Sequence, residues 1–218
     1  MVRKQPMRVV VLANSKGGVG KTTLAAALAV RAAAESKRVA LLDLDPQESL
    51  SAWWERRGKE KNPKLFEVDA ATEAIELLMS EGWDWVFIDT PPSKLELIEP
   101  GVAAADLVLI PCRPSALDIE QVDIVVELCE THGKPFAFVL NHAPPTWKLT
   151  KSSAEYLRRG ERTVLDPLVT FRQAHMAAAT VGKTAAEVEK EGAARREIDE
   201  LWEAVKKLAA TARKGRAK

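Results

Sequence analysis

An apolar run that ends in a glycine-rich loop and restarts as an alanine-rich helix is the strongest constraint in this sequence. Arg8-Val9-Val10-Val11-Leu12-Ala13 leads into Ser15-Lys16-Gly17-Gly18-Val19-Gly20-Lys21-Thr22-Thr23, and an alanine-rich stretch follows from Leu24 to Ala34. Consecutive apolar residues, three of them β-branched, read as a strand buried on both faces, and the alanine-rich stretch reads as a helix. The glycines therefore sit at a strand-to-helix turn. Gly17, Gly18 and Gly20 can adopt backbone angles closed to other residues, so successive N–H groups from Lys16 through Thr23 can point inward and wrap a polyphosphate at the positive end of the helix. In such a loop Lys21 neutralises the β and γ phosphates, and the Thr22 hydroxyl ligates Mg²⁺.

Further strand-like runs at 39–44, 65–68, 85–89, 107–111 and 136–141 alternate with helical patterns. A weaker strand is read near 168–171, and a closing helix from Ile198, Leu201, Trp202, Val205, Leu208 and Ala209. Alternation of this kind predicts an α/β fold, a mostly parallel twisted sheet with helices on both faces. The 218 residues fit one α/β domain over 1–218 with a basic tail at about 209–218. That length buries roughly 70% of the unfolded surface. No apolar run approaches a membrane span and residues 1–7 are too short and polar for a signal peptide, so a cytoplasmic protein with no membrane partner is expected. Cys112 and Cys129 lie on apolar patterns and read as core residues. His132, His142 and His175 share no ligand spacing, and no chemistry is assigned to them.

In open parallel sheets ligands bind beyond the carboxyl ends of the strands, so acids that close apolar runs are candidates for the site. Leu41-Leu42-Asp43-Leu44-Asp45-Pro46-Gln47 is one such place, with strand alternation sending Asp43 and Asp45 to one face. Trp85-Val86-Phe87-Ile88-Asp89-Thr90-Pro91-Pro92 is the other. A lone aspartate at a strand end more commonly caps the next helix or turn.

Lys-Gly-Gly-x-Gly-Lys-Thr-Thr at 16–23 resembles the deviant Walker A motif of the ParA/MinD family of ATPases, a P-loop NTPase fold in which the early lysine is the signature residue. The acidic segments resemble that family's D-x-D-P-Q and D-x-P-P motifs. The resemblance implies ATP and Mg²⁺ as cofactors and ATP hydrolysis as the activity. It implies a homodimer on ATP binding, with Lys16 reaching the phosphates of the other subunit. By position, Asp45 orients or activates the hydrolytic water, Asp89 holds Mg²⁺ through water, and Asp43 supports the metal. Ser15 stands where the common P-loop has its first glycine, and Glu48 stands where many relatives have glycine. The segment 111–118, including Pro114 and Asp118, resembles the adenine loop of small ParA proteins, and Asn141 ends a strand where relatives often contact the base. Asn141 serves equally as a turn residue.

Charge is concentrated at one end. Six of the 32 bases fall in 205–218, which holds no acid, leaving 26 bases against 31 acids in the rest. Lys206, Lys207, Arg213, Lys214 and Arg216, with Arg158 and Arg159 upstream, compose a candidate surface for DNA phosphates. A solvated tail fits the same charges. The resemblance adds Arg172, and it implies nonspecific DNA binding, nucleoid association and a ParB-like centromere-binding or cargo-adaptor partner. The P-loop strand begins at residue 8, so no N-terminal helix-turn-helix is expected. The function read from the sequence is a DNA partition ATPase; a positioning ATPase for a protein assembly and a metabolic P-loop enzyme are the alternatives.

Overall fold

The computed structural model describes residues 6–35, 37–68, 71–92 and 95–216, with side chains through residue 211. In chain order the elements are β1 (Arg8–Leu12), α1 (Lys21–Ala33), β2 (Val39–Asp43), α2 (Ser49–Arg56), β3 (Lys64–Phe66), α3 (Ala71–Ser80), β4 (Trp85–Asp89), α4 (Leu95–Ala104), β5 (Leu107–Cys112), α5 (Ala116–Ile119), α6 (Val122–Thr131), β6 (Phe136–Leu140), α7 (Lys148–Leu157), α8 (Gln173–Ala179), α9 (Ala185–Val188) and α10 (Ala193–Arg216).

Six strands pair in the order β3-β2-β4-β1-β5-β6, and every pairing is parallel. The continuous apolar runs of the sequence follow from this, because the inner strands are covered on both faces. Alternation along β1 sends Val9 and Val11 into one core with Ile88, Ile98 and Val125, and Val10 and Leu12 into the other with Leu24, Leu28 and Phe87. Cys112 and Cys129 lie buried and unpaired in the first core, and burial pushes both thiols up to about 12.

The second core is closed by α10, whose Ile198, Leu201, Trp202, Val205 and Ala209 are buried at helical spacing. Trp202 is fully buried, its ring 4.7 Å from that of Trp85 and 6.2 Å from that of Phe87. Among the described residues no helix is long and apolar enough to cross a membrane.

Two sequence expectations change in detail. β3 stops at Phe66, short of the run to 68. The strand expected near 168–171 is reduced to one isolated bridge, Asn141 with Val169, preceded by another between Phe138 and Val164. Leu165 and Val169 donate backbone hydrogen bonds to Phe138 and Leu140, but Pro167 between them has no N–H with which to continue a ladder.

Trp202→Ala is expected to destabilise the fold by about 3–5 kcal/mol, the range for emptying a large aromatic site in a core. A urea titration followed by circular dichroism checks it through a lowered midpoint.

Candidate nucleotide site

The sheet register assembles the site. Leu12 stands level with Asp89 and Asp89 level with Asp43, so the chain leaves β1, β4 and β2 at one height. From β1 the loop is shaped by Asn14, whose Nδ2 donates to the Pro111 carbonyl at 2.7 Å and whose Oδ1 accepts from Lys16 N–H at 2.8 Å. Asn141, 3% exposed, donates from Nδ2 to the Val19 carbonyl at 2.8 Å and accepts from His142 N–H at 2.9 Å. It braces the loop from beneath. Gly20 sits at φ 95° directly over it, where a Cβ would stand 2.1 Å from Asn141 Nδ2. Only glycine satisfies both the backbone angle and that approach.

Lys21 and Thr22 open α1 and turn into the site. The Lys21 ammonium donates to the Lys16 carbonyl at 3.2 Å, spanning the loop. Burial lowers the Lys21 pKa, against the raising influence of Asp89 and Asp45. The Thr22 hydroxyl donates to Asp89 Oδ2 at 2.5 Å, while Asp89 Oδ1 is fully buried with no partner among the described residues. Burial pushes Asp89 up to about 7; the Thr22 hydrogen bond and Lys21 oppose this, and Asp43 and Asp45 add to it. A buried carboxylate with one unsatisfied oxygen beside a threonine hydroxyl is a donor set suited to a hard divalent cation, so the residues fit Mg²⁺.

Asp43 and Asp45 differ in role. Asp43 Oδ1 accepts from Asp45 N–H at 3.1 Å, and its Oδ2 accepts from the Ser51 N–H and hydroxyl at 2.9 and 3.0 Å. Asp43 therefore organises the loop and the start of α2. Asp45 lies two residues beyond the end of β2, so a turn rather than strand alternation carries it into the site; it accepts from Gln47 N–H at 3.0 Å and lines a groove beside the P-loop.

That groove is about 480 Å³. Gly17, Gly18, Gly20, Lys21, Thr22 and Thr23 form its phosphate end, Asp45, Gln47, Trp53 and Arg56 one wall, and His175, Met176 and Ala179 the other. His142 and Phe171 also line it, their rings packed edge-to-face at 5.2 Å. Burial lowers the pKa of both His142 and His175. The sequence assigns no chemistry to His142 and His175, and Phe171 and Met176 escape it. No local motif marks these residues, and they reach the groove from segments far from the P-loop in the chain.

Lys16, Pro114 and Asp118 are not among the groove's lining residues. Asp118, 3% exposed in its side chain, accepts from the Lys16 ammonium at 3.0 Å and from Arg113 at 2.8 and 3.2 Å. Burial would raise its pKa, but the hydrogen bonds from Arg113 and Lys16 outweigh it and hold the carboxyl below the usual range. Pro114 is buried, and the Asn141 amide meets the Val19 carbonyl and the His142 N–H.

The basic residues are dispersed. Arg172 pairs with Glu197 at 2.5 Å, Arg158 with Asp166 at 3.3 Å, and Lys206 with Glu35 and Glu203 at 2.9 and 2.7 Å. Arg159 lies over the Tyr156 ring at 5.1 Å, and Lys207 is exposed. The side chains of Arg213, Lys214 and Arg216 lie outside the described residues.

A parallel sheet whose central strand runs into a lysine-bearing phosphate loop, with a buried carboxylate on the neighbouring strand, defines a P-loop nucleotide-binding protein. Residues 10–186 match the family described as the CobQ/CobB/MinD/ParA nucleotide binding domain, and the chain belongs to that family as a ParA/MinD-type ATPase. Among curated proteins it is similar to maintenance of carboxysome distribution protein A of Gloeobacter kilaueensis, 41% identical over 51% of this chain and 52% of that protein. It is also similar to protein virC1 of Rhizobium rhizogenes, 33% identical over 67% of this chain and 68% of the relative. Among solved structures, a plasmid partition protein of Borrelia burgdorferi bound to AMPPNP shares the fold, with a TM-score of 0.75 at 17% identity over 92% of this chain and 99% of that one.

Gly20→Ala is expected to lower stability by about 1–3 kcal/mol, through a left-handed angle and a collision at once. Thermal unfolding checks the loss, and fluorescent ATP titration should show binding abolished with it.

Proposed function

We propose that the chain is a positioning switch that binds MgATP, dimerises on it, holds DNA without sequence preference in that state, and is released after partner-stimulated hydrolysis. The observation that carries this reading is Lys16. A second lysine within five residues of Lys21 would crowd the same phosphates, yet its ammonium turns to Asp118 and leaves the groove to Lys21. A cation at the rim, 26% exposed, suits delivery to the phosphates of a second subunit. In trans such a cation is worth about 10³–10⁵ in rate where it has been measured in GTPases.

Within one subunit the loop N–H groups and Lys21 take the triphosphate, and Thr22 and Asp89 hold the Mg²⁺ that accompanies it. Bound there, Mg²⁺ neutralises phosphate charge and polarises the phosphoryl oxygens. Asp45, on the wall facing the phosphate end, orients the attacking water. The purine ring takes the far end of the groove against Phe171, His142 and Met176, where the aromatic edge and the thioether give it an apolar seat.

DNA contact is assigned to Lys207, Arg158, Arg159 and the end of α10, with Arg172 and Lys206 joining as their ion pairs open. The Arg172–Glu197 and Lys206–Glu35 pairs are half-buried at the surface, where solvent and salt still reach them and phosphates can compete for the two cations. A partition complex bound by a ParB-like adaptor is the first cargo reading. A protein assembly is the second, favoured by the likeness to a carboxysome distribution protein. The proteins retained by an ATP-trapped variant separate the two.

Lys16→Ala is expected to bind fluorescent ATP within about threefold of wild type and to stay monomeric by light scattering; an ATP-dependent dimer in that variant contradicts delivery in trans. Asp45→Ala should bind ATP, dimerise and turn over about 10²-fold more slowly in a phosphate-release assay, the scale of a lost general base. Reversing Lys207, Arg213, Lys214 and Arg216 to glutamate should flatten the salt dependence of DNA binding by about one unit of slope for each phosphate no longer neutralised. An unaltered slope returns the tail to solvent.

A further inference from the structure

Between the Asp45 loop and the far wall of the groove runs a chain of hydrogen bonds and ion pairs that lies outside the phosphate loop itself. At its start, α2 is tied to the site: Ser51 donates twice to Asp43, and Glu48, in the left-handed region at φ 51°, donates its N–H to the Asp45 carbonyl at 2.8 Å. At its end, α2 is tied to the segment joining α8 and α9. Trp53 Nε1 donates to the Lys183 carbonyl at 3.1 Å, and Arg56 Nε donates to the Ala179 carbonyl at 3.2 Å.

Arg57 is the centre of the second attachment. Its guanidinium donates to the Gly182 carbonyl at 3.1 Å, forks onto both Glu187 oxygens at 2.9 and 2.7 Å, reaches Glu60 at 3.0 Å, and lies over the Trp53 ring at 5.4 Å. The side chain is only 7% exposed. Glu187 in turn accepts from the Thr184 N–H at 2.7 Å and hydroxyl at 3.0 Å, closing the capping box that starts α9. The backbones meet directly as well: Gly182 sits at φ 67°, and a Cβ there would stand 2.1 Å from Arg57 N. Ala179, Lys183, Thr184 and Ala185 line the same groove as Asp45, Gln47 and Ser49.

We infer that Arg57 is a positioning residue that couples the Asp45 loop to the α8–α9 segment across the groove, so that occupancy at the phosphate end orders the opposite wall. The inference rests on the groove being the MgATP site. The eight-residue α2 has both ends fastened, one to the carboxylates of the site and one to the wall, and so transmits a displacement of either as a rigid unit. The bidentate fork matters more than the charge, because a planar guanidinium fixes the angle between the two elements where an ammonium would not. Both ends must then be in place before Asp45 faces the phosphates correctly.

The test uses the full chain carrying Arg57→Lys, Glu187→Gln or the exchange Arg57→Glu/Glu187→Arg, with mant-ATP and Mg²⁺ as the probe. Thermal midpoints establish that each variant is folded. In wild type, mant-ATP should slow amide hydrogen exchange in both 45–57 and 179–188. In Arg57→Lys and Glu187→Gln the protection of 179–188 on binding should fall about tenfold while that of 45–57 persists, within the usual span of coupling between linked sites. Turnover should show kcat lowered by a similar factor with KM within about threefold, the signature of a lost transition-state arrangement. The exchange variant should restore part of both. Undiminished protection and unchanged kcat in the two single variants overturn the coupling. So does an equal loss of protection with and without mant-ATP at unchanged kcat, which makes the Arg57–Glu187 pair a static brace. Wild-type chain that binds no mant-ATP overturns the nucleotide reading itself, and the coupling with it.

Discussion

Parallel pairing at one register is what the site depends on. β1 lies between β4 and β5, and the levels of Leu12, Asp89 and Asp43 place the P-loop, the buried carboxylate and the Asp45 loop at one edge of the sheet. Strands covered on both faces leave no polar surface along their length, so ligand-binding groups collect where the strands end. The two cores on either side of β1 hold that register. A shift of one residue would exchange Val9 and Val11 with Val10 and Leu12 between cores, and would carry Asp89 away from Thr22.

Electrostatics at the edge follow from burial. Burial drives Asp89 up to about 7, the Thr22 hydroxyl and Lys21 offset only part of this, and its other oxygen is left without a partner among the described residues. Lys21 is pulled the opposite way by the same burial. The site is incomplete by itself in charge and in hydrogen bonds, and a divalent cation with a polyphosphate answers both. Asp118 is the contrasting case: Arg113 and Lys16 outweigh its burial and hold its carboxyl below the usual range, and its negative charge draws Lys16 to the rim of the loop.

Legibility varied with the range of the interactions. The P-loop, the parallel sheet and the acids at 43, 45 and 89 were readable because backbone preference and apolar periodicity act within a few residues. The role of Asn141 was not. Its place at a strand end was evident, but whether its amide meets a ligand or the Val19 carbonyl is set by a partner 122 residues away in sequence. Asp118 posed the same problem, since beside its local partner Arg113 it pairs with Lys16, on a distant segment of the chain. The strand expected near 168–171 is reduced to a bridge at Val169, and Pro167 just before it supplies no N–H to a ladder with β6.

The amino-acid order alone determined that a phosphate loop carrying Lys16 and Lys21 joins a buried strand to a helix, and that aspartates close the strands beside it. Those properties reside in glycine conformations, side-chain periodicity and the spacing of charges, all local. Tertiary structure alone decided which of these groups face one another: that Lys16 turns to Asp118, that His142 and Phe171 line the groove, and that Arg57 fastens α2 to Glu187. Each of those pairings joins residues far apart in the chain. Their geometry follows from how helices pack on a twisted sheet, which no short stretch of sequence encodes.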